Sequence, residues 1–199
     1  MAGERIAPAS FAEPSWAAPP GGTPALSLRQ PWAFAVLHLG KRIENRTSWR
    51  SCKYRGPIWI HAAKWPRASL DELEAKPDRA DIAEYLDAVD AMLEMRAKTD
   101  HVLDGTVTHR KLLEHRGGVV GRATIVDVIS GPIDLARAVK VGIVAPSQSA
   151  WHMGGFALVL DDVRPVPFVE CKGALGLFGV SPAIAEKLSE LNTTGGHDR

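Results

Sequence analysis

Basic and aromatic side chains crowd into residues 29–55. Lys41, Arg42, Arg46, Arg50, Lys53 and Arg55 surround a single acid, Glu44, and Arg29 lies just upstream. Trp32, Trp49, Tyr54 and Trp59 are interleaved with these charges. Cationic side chains neutralise phosphates, and aromatic faces stack on unpaired bases at about 1–3 kcal/mol per base. Together these residue types read as a surface for single-stranded nucleic acid. The plain alternative is a cationic loop balanced against the acidic side of a helix, through surface pairs worth little each.

Within this stretch Lys41 and Glu44 stand three residues apart. A lysine ammonium holds a phosphate or an electron-rich base edge as a mobile point charge. A carboxylate accepts from an exocyclic amine, as it does with cytosine. The same spacing equally suits an ion pair that fixes a loop. Trp32 reads either as a stacking platform or as core, and Arg29 as a phosphate contact or a donor to backbone carbonyls. His61, near a strand end, reads first as structural and second as a proton carrier.

Other chemistries lack their signatures. There is no phosphate-binding glycine loop and no His-Glu-x-x-His helix. No Pro-Cys-x-x-Cys accompanies His61, which argues against a zinc deaminase. The two cysteines, Cys52 and Cys171, are too few for a disulfide scaffold and too isolated to suggest a metal site. No cofactor is expected. The 199 residues are 45% hydrophobic and 24% charged, with a net charge of +1, a globular composition in which only the distribution of charge is informative. No apolar run reaches the ~20 residues of a membrane-spanning helix, and the start of the chain lacks the basic-then-apolar form of a secretory signal. A reduced, cytoplasmic setting without membrane contact is the expectation.

Positioning these residues requires a scaffold. Residues 1–23, rich in Ala, Pro and Gly, read as a flexible leader on which Phe11 or Trp16 could pin to the domain. Residues 25–28 and 57–62 read as strands, and 32–39 as a helix between Pro31 and Gly40. Residues 41–56 read as a loop. Ser69 and Glu72 form a capping-box pattern, followed by Ile82, Leu86, Val89 and Leu93 along one helix face, with Asp81, Glu84, Asp87, Asp90 and Glu94 on the other. Residues 65–116 therefore read as a helical insertion. Residues 119–129, 156–160 and 177–180 read as further strands, with Gly121 marking a bend in the first. Ser181-Pro182 opens a last helix to about 191, and 192–199 form a tail. Short strands split by glycine and proline, with few helices, predict an α+β single domain over 24–191, built on a small closed or half-closed β-barrel.

Three runs carry a resemblance: Ala25-Leu-Ser-Leu-Arg-Gln-Pro-Trp32, Gly40-Lys-Arg-Ile-Glu-Asn-Arg46 and Tyr54-Arg-Gly-Pro-Ile-Trp-Ile-His-Ala62. Gly118-Val-Val-Gly121, Trp151-His-Met-Gly-Gly-Phe156 and Lys172-Gly-Ala-Leu-Gly-Leu-Phe178 follow in the same order. The chain resembles the ASCH family, a branch of the PUA-like folds, over 24–64 and 117–180. The resemblance implies a PUA-like β-barrel flanked by helices, with a cleft lined by Lys41 and Glu44 and with Arg46 beside them. It implies binding of RNA, single-stranded or modified, or of modified nucleotides, with DNA also open as a partner. Arg29, Gln30, Trp32, Arg50, Arg55, His61, Ser149 and Trp151 join Lys41, Glu44 and Arg46 as candidate contacts, and Ser147 and Gln148 lie in the same polar loop. Some members of the family hydrolyse acylated cytidine or RNA, chemistry in which Lys41 and Glu44 would be catalytic. The small amidohydrolases carry a threonine where this chain has Glu44, so the nucleophilic hydroxyl is lacking there. A third reading makes the acidic helix a docking face for another protein.

Overall fold

The computed structural model describes residues 22–47, 52–99 and 106–194, the side chains of 192–194 excepted. Trp49, Arg50, residues 1–21 of the leader and residues 195–199 of the tail lie outside the described residues, while 192–194 continue the last helix instead of opening a tail.

Six strands form one mixed sheet in the order β2-β5-β4-β3-β1-β6. They are β1 (Ala25–Leu28), β2 (Ile43–Arg46), β3 (Gly56–Ala62), β4 (Gly118–Ile129), β5 (Phe156–Glu170) and β6 (Leu177–Phe178). β1 runs parallel to β3, and the other neighbours are antiparallel. The two longest strands, β4 and β5, pair with register shifts between Val119 and Gly121, Arg122 and Thr124, and Ile125 and Asp127. Such bulges add twist and bend a sheet, and here they curl it into a half-barrel whose edges, β2 and β6, do not pair. The α+β expectation and the half-closed barrel both hold.

Helix α1 (Trp32–His38) lies in the curl. Leu26, Leu28, Ile58, Ile60, Ile125, Leu158 and Leu160 from the strands meet Val36 there in the main core. Gly121 makes this packing possible. A Cβ on it would sit 2.3 Å from Leu37 Cδ2 and 2.9 Å from the Arg164 carbonyl oxygen. The expected bend at Gly121 is thus also a point of close helix–sheet approach. The opposite face of the sheet packs Ala25, Trp59, Val119 and Val169 against Leu188, which lies on the C-terminal helix α6 (Pro182–Thr194).

Several elements differ from the sequence reading. Residues 43–46, expected in a loop, form β2 along the edge of β5, because tertiary pairing overrides the weak strand propensity of Ile-Glu-Asn-Arg. The acidic part of the insertion is split between two helices rather than carried by one: α2 (Leu70–Ala75), with the expected Ser69–Glu72 capping box, and α3 (Ala80–Ala97). The buried stripe of α3 is Ile82, Tyr85, Val89 and Met92, while Leu93 is exposed. A short α4 (His109–Glu114) completes the insertion, and its Leu112 and Leu113 pack with Leu73 and Tyr85. Met92 reaches the separate cluster around Leu39, Ile43 and Trp151, tying the insertion to the barrel. Helix α5 (Pro132–Lys140) and a 3-10 turn over Pro146–Trp151 occupy residues with no regular element foreseen. No helix among the described residues is long and apolar enough to cross a membrane.

Candidate functional site

Two neighbouring constellations contain the polar groups of interest. The first follows α1. Gly40, at a φ of +68°, turns the chain out of the helix, and the Lys41 N–H donates back to the Ala35 carbonyl. Gln148 pins this turn from the 3-10 segment: its Oε1 accepts from the Arg42 N–H at 2.7 Å, and its Nε2 donates to the Gly40 carbonyl at 3.0 Å. Lys41 is thereby driven inward and is only 1% exposed. Its Nζ donates to Glu44 Oε2 at 2.6 Å and lies 5.7 Å from the centroid of the Trp32 ring. Glu44 and Arg46 share one face of β2, and Arg46 Nη2 lies 3.5 Å from Glu44 Oε1. Burial pulls the Lys41 ammonium below the usual lysine range. The Glu44 carboxylate opposes that shift, and the Arg46 charge adds to it.

This geometry corrects one expectation. Lys41 and Glu44 form an interior ion pair rather than the open wall of a cleft. A buried ammonium already bonded to a carboxylate is not available to a phosphate unless the pair separates.

The second constellation lies at the wall of a cavity, although His61 itself is only 2% exposed. Arg46 Nη2 also donates to the Ser27 carbonyl at 3.1 Å, linking the ion pair to β1. In the parallel β1–β3 ladder Ser27 stands opposite His61, and Ser27 Oγ meets His61 Nδ1 at 3.0 Å. His61 Nε2 lies 3.1 Å from the Cys171 carbonyl oxygen. The His61 ring is also met edge-on by Phe178, at 5.7 Å between centroids. Ser27 and His61 border a cavity of about 610 Å³, with Lys64, Arg67 and Lys172 also on its wall and Glu170 as the only acid among the lining residues. Lys64, Arg67 and Lys172 are exposed. Gly173 lies against the pair: a Cβ there would be 2.4 Å from His61 Cε1 and 2.7 Å from Ser27 Oγ. Lys64 and Arg67 also line an adjoining groove of about 550 Å³, which reaches Arg116. The Arg116 guanidinium is committed to the carbonyls of Leu113, Pro66 and Ala68.

The remaining candidates disperse. Arg29 pairs with Glu84 on α3 at 2.6 Å and lies over the Trp65 ring, its carbon 4.7 Å from the centroid. This is the pairing with the acidic helix that the alternative reading supplied. Gln30 is buried, and its Oε1 accepts from the Phe34 N–H in the first turn of α1. Arg55 pairs with Asp127 at 3.2 Å and donates to the Tyr54 and Cys52 carbonyls. Ser149 is exposed, and its carbonyl accepts from the His152 N–H. Trp151 is 0% exposed in the cluster with Leu39 and Ile43, and its indole N–H has no hydrogen-bond partner among the described residues. Trp59 and Tyr54 are core as well. The Trp151, Trp59 and Tyr54 rings are buried, so the stacking expectation does not extend to them. Trp32 keeps a partly exposed ring.

Sequence reasoning found His61 but missed Ser27, Lys64, Arg67 and Lys172 as its neighbours. The available signal was a cation placed just after each of two strands, Lys64 after β3 and Lys172 after β5. Among the described residues no cluster of three or more His, Cys, Asp or Glu side chains could hold a metal ion.

Several solved structures match this chain, two of them from one organism. One is the ASCH protein from Zymomonas mobilis, with a TM-score of 0.40 and 13% identity, over 85% of this chain and 94% of that one. The other is a point mutant of the same protein, with a TM-score of 0.37 and 13% identity, over 85% and 95%. No curated protein matches the sequence. The model of the ASCH domain matches residues 26–161, more than half of the chain and most of the curled sheet, and on that match the chain belongs to the ASCH domain family.

Proposed function

We propose that this chain is a nucleic-acid-binding module that takes single-stranded or modified RNA, or a modified nucleotide, in the cleft over Ser27 and His61. The observation that carries this reading is an open cavity of about 610 Å³ whose wall carries Lys64, Arg67 and Lys172 against one acid. Its volume falls within the range of small-ligand sites, about 300–1,000 Å³, so it suits one flipped-out or terminal nucleotide and is too small for a duplex. Lys64 and Arg67 continue the positive rim into the next groove, as a track for the backbone of a strand requires. In this reading Lys41, Glu44 and Arg46 support the cleft from behind, through the Arg46 bond to the Ser27 carbonyl. Family membership supports the same assignment.

Fluorescence anisotropy of labelled RNA oligonucleotides across a salt series tests it, with DNA of the same sequence as a second arm. Binding should weaken with salt, and Lys64→Ala, Arg67→Ala and Lys172→Ala should each make the log–log slope shallower by about 0.7, the single-strand value per phosphate contact. Binding that ignores salt would replace the phosphate-centred ligand with a neutral nucleoside. Equal affinity for DNA would remove the 2′-hydroxyl from recognition.

A further inference from the structure

An exposed aromatic pair stands beside the basic cleft. Among the described residues Phe168 is the one Phe, Tyr or Trp side chain that is exposed, at 36%. The His115 ring, itself exposed, lies against it at 5.2 Å between centroids, with 32° between the planes. A single apolar side chain on a surface needs no explanation. Phe168 differs through its partner ring and through its position.

That position is the border of the 610 Å³ cavity. Phe168 stands two residues before Glu170 on β5, so the two share a face of the strand, and Glu170 is on the cavity wall. In the β4–β5 ladder Glu170 pairs with Gly118. A Cβ on Gly118 would sit 2.6 Å from the Phe168 ring, and one on Gly117 would meet the aliphatic stem of Lys64 at 3.6 Å. The ring and the lysine stem therefore cover adjacent glycines, and Gly117 and Lys64 are both on the cavity wall.

The backbone beneath them is fixed. The Gly117 N–H donates to the Ala62 carbonyl at 2.7 Å, and the Gly117 carbonyl accepts from the Cys171 N–H at 3.1 Å. The Arg116 guanidinium bonds the carbonyls of Leu113, Pro66 and Ala68, which holds the turn that carries His115. A surface held in this way needs little ordering when a ligand arrives.

We propose that the His115–Phe168 pair is a stacking platform for an unpaired base, the neighbour of the nucleotide in the cavity, with Lys64 on the phosphate between the two. The proposal rests on the cleft being the RNA site argued above, and it makes the ligand a strand rather than a lone nucleotide. Stacking accepts every base, so this subsite adds affinity without choosing a sequence. It fills the role expected of Trp59 and Trp151, whose rings are buried.

The test uses the full chain and a short labelled oligouridylate, whose bases stack little on one another. Affinity and its salt slope are measured for wild type, Phe168→Leu, Phe168→Trp, His115→Ala and Lys64→Ala, each checked for folding by circular dichroism. A second series replaces one nucleotide at a time with an abasic one. Phe168→Leu should bind about 5- to 100-fold more weakly with the slope kept, because the ring carries no charge. Lys64→Ala should instead make the slope shallower. Phe168→Trp should bind at least as tightly as wild type. One abasic position should weaken binding to wild type and have no effect on Phe168→Leu. His115→Ala, a change at an exposed ring, should also weaken binding, and it decides the matter if changes at Phe168 disturb the strand. Salt-sensitive binding that neither Phe168→Leu nor His115→Ala weakens overturns the platform and leaves the cleft reading standing. A mononucleotide that binds as tightly as the strand also overturns it. Absence of salt-sensitive RNA binding by folded wild type removes the cleft reading and the platform together.

Discussion

Lys41 is the residue whose chemistry is most altered by its surroundings. An ammonium only 1% exposed persists because Glu44 accepts from it at 2.6 Å, and each partner offsets much of the other's desolvation. Lys41→Ala should therefore cost about 3–5 kcal/mol, because it leaves Glu44 buried and opposed only by Arg46. Urea unfolding measures the loss. The double variant Lys41→Met/Glu44→Gln should recover most of it, since it removes both charges at once. His61 gives the second residue-scale prediction. Its folded-state pKa lies below the ordinary value of about 6.5, chiefly through burial. As pH falls from that value toward the folded-state pKa, the unfolded chain takes up the proton first, so stability is lost on acidification. The thermal midpoint should drop further between pH 7.5 and 5 in wild type than in His61→Gln, and equal drops would show that the His61 ring does not contribute.

Among the elements, the contact between α1 and the curled sheet sets the site. The helix can lie in the curl only because Gly121 leaves space for Leu37, and the turn after the helix can present Lys41 inward only because Gln148 holds it from a distant segment. Gly121→Ala should destabilise the fold by about 1–3 kcal/mol through overpacking. The nearest obstacles are a side-chain methyl at 2.3 Å and a backbone carbonyl at 2.9 Å, and the second cannot swing away. Chemical denaturation checks the cost, and a neutral outcome would mean that α1 is free to rise off the sheet. The loop carrying Cys171, Lys172 and Gly173 has the matching role on the other side, where its backbone orients His61 and abuts Ser27.

Over the whole molecule, charge rather than composition distinguishes one face. The net charge is +1, yet Lys64, Arg67 and Lys172 gather at one cleft, while the cation of Arg29 is spent on Glu84 across the insertion. Arg29→Ala should leave the salt slope of RNA binding unchanged, because its guanidinium is already paired at 2.6 Å. As an exposed pair, that contact should contribute no more than about 1 kcal/mol to stability. If the slope instead falls as far as it does in Lys64→Ala, the basic track extends along the insertion.

The sequence by itself determined the family and the general architecture. The motif runs from Ala25 to Ala62 and from Gly118 to Phe178 are local text, and short strands punctuated by glycine and proline carry their own signal. It also set Lys41 and Glu44 three residues apart, a spacing that suits either an ion pair or two separate ligand contacts. Only the tertiary structure decided which way that pair faces. The inward direction depends on Gln148, more than a hundred residues away, and burial is a property of everything packed around a group. The same reason explains the aromatics: Trp59 and Trp151 look identical to stacking residues in sequence, and only their contacts with Leu188 and with Leu39 assign them to the core. Ser27, His61 and Cys171 meet because a parallel ladder aligns the first two and β5 delivers the third. No spacing along the chain records such a meeting, because strand register and sheet order are settled by long-range pairing.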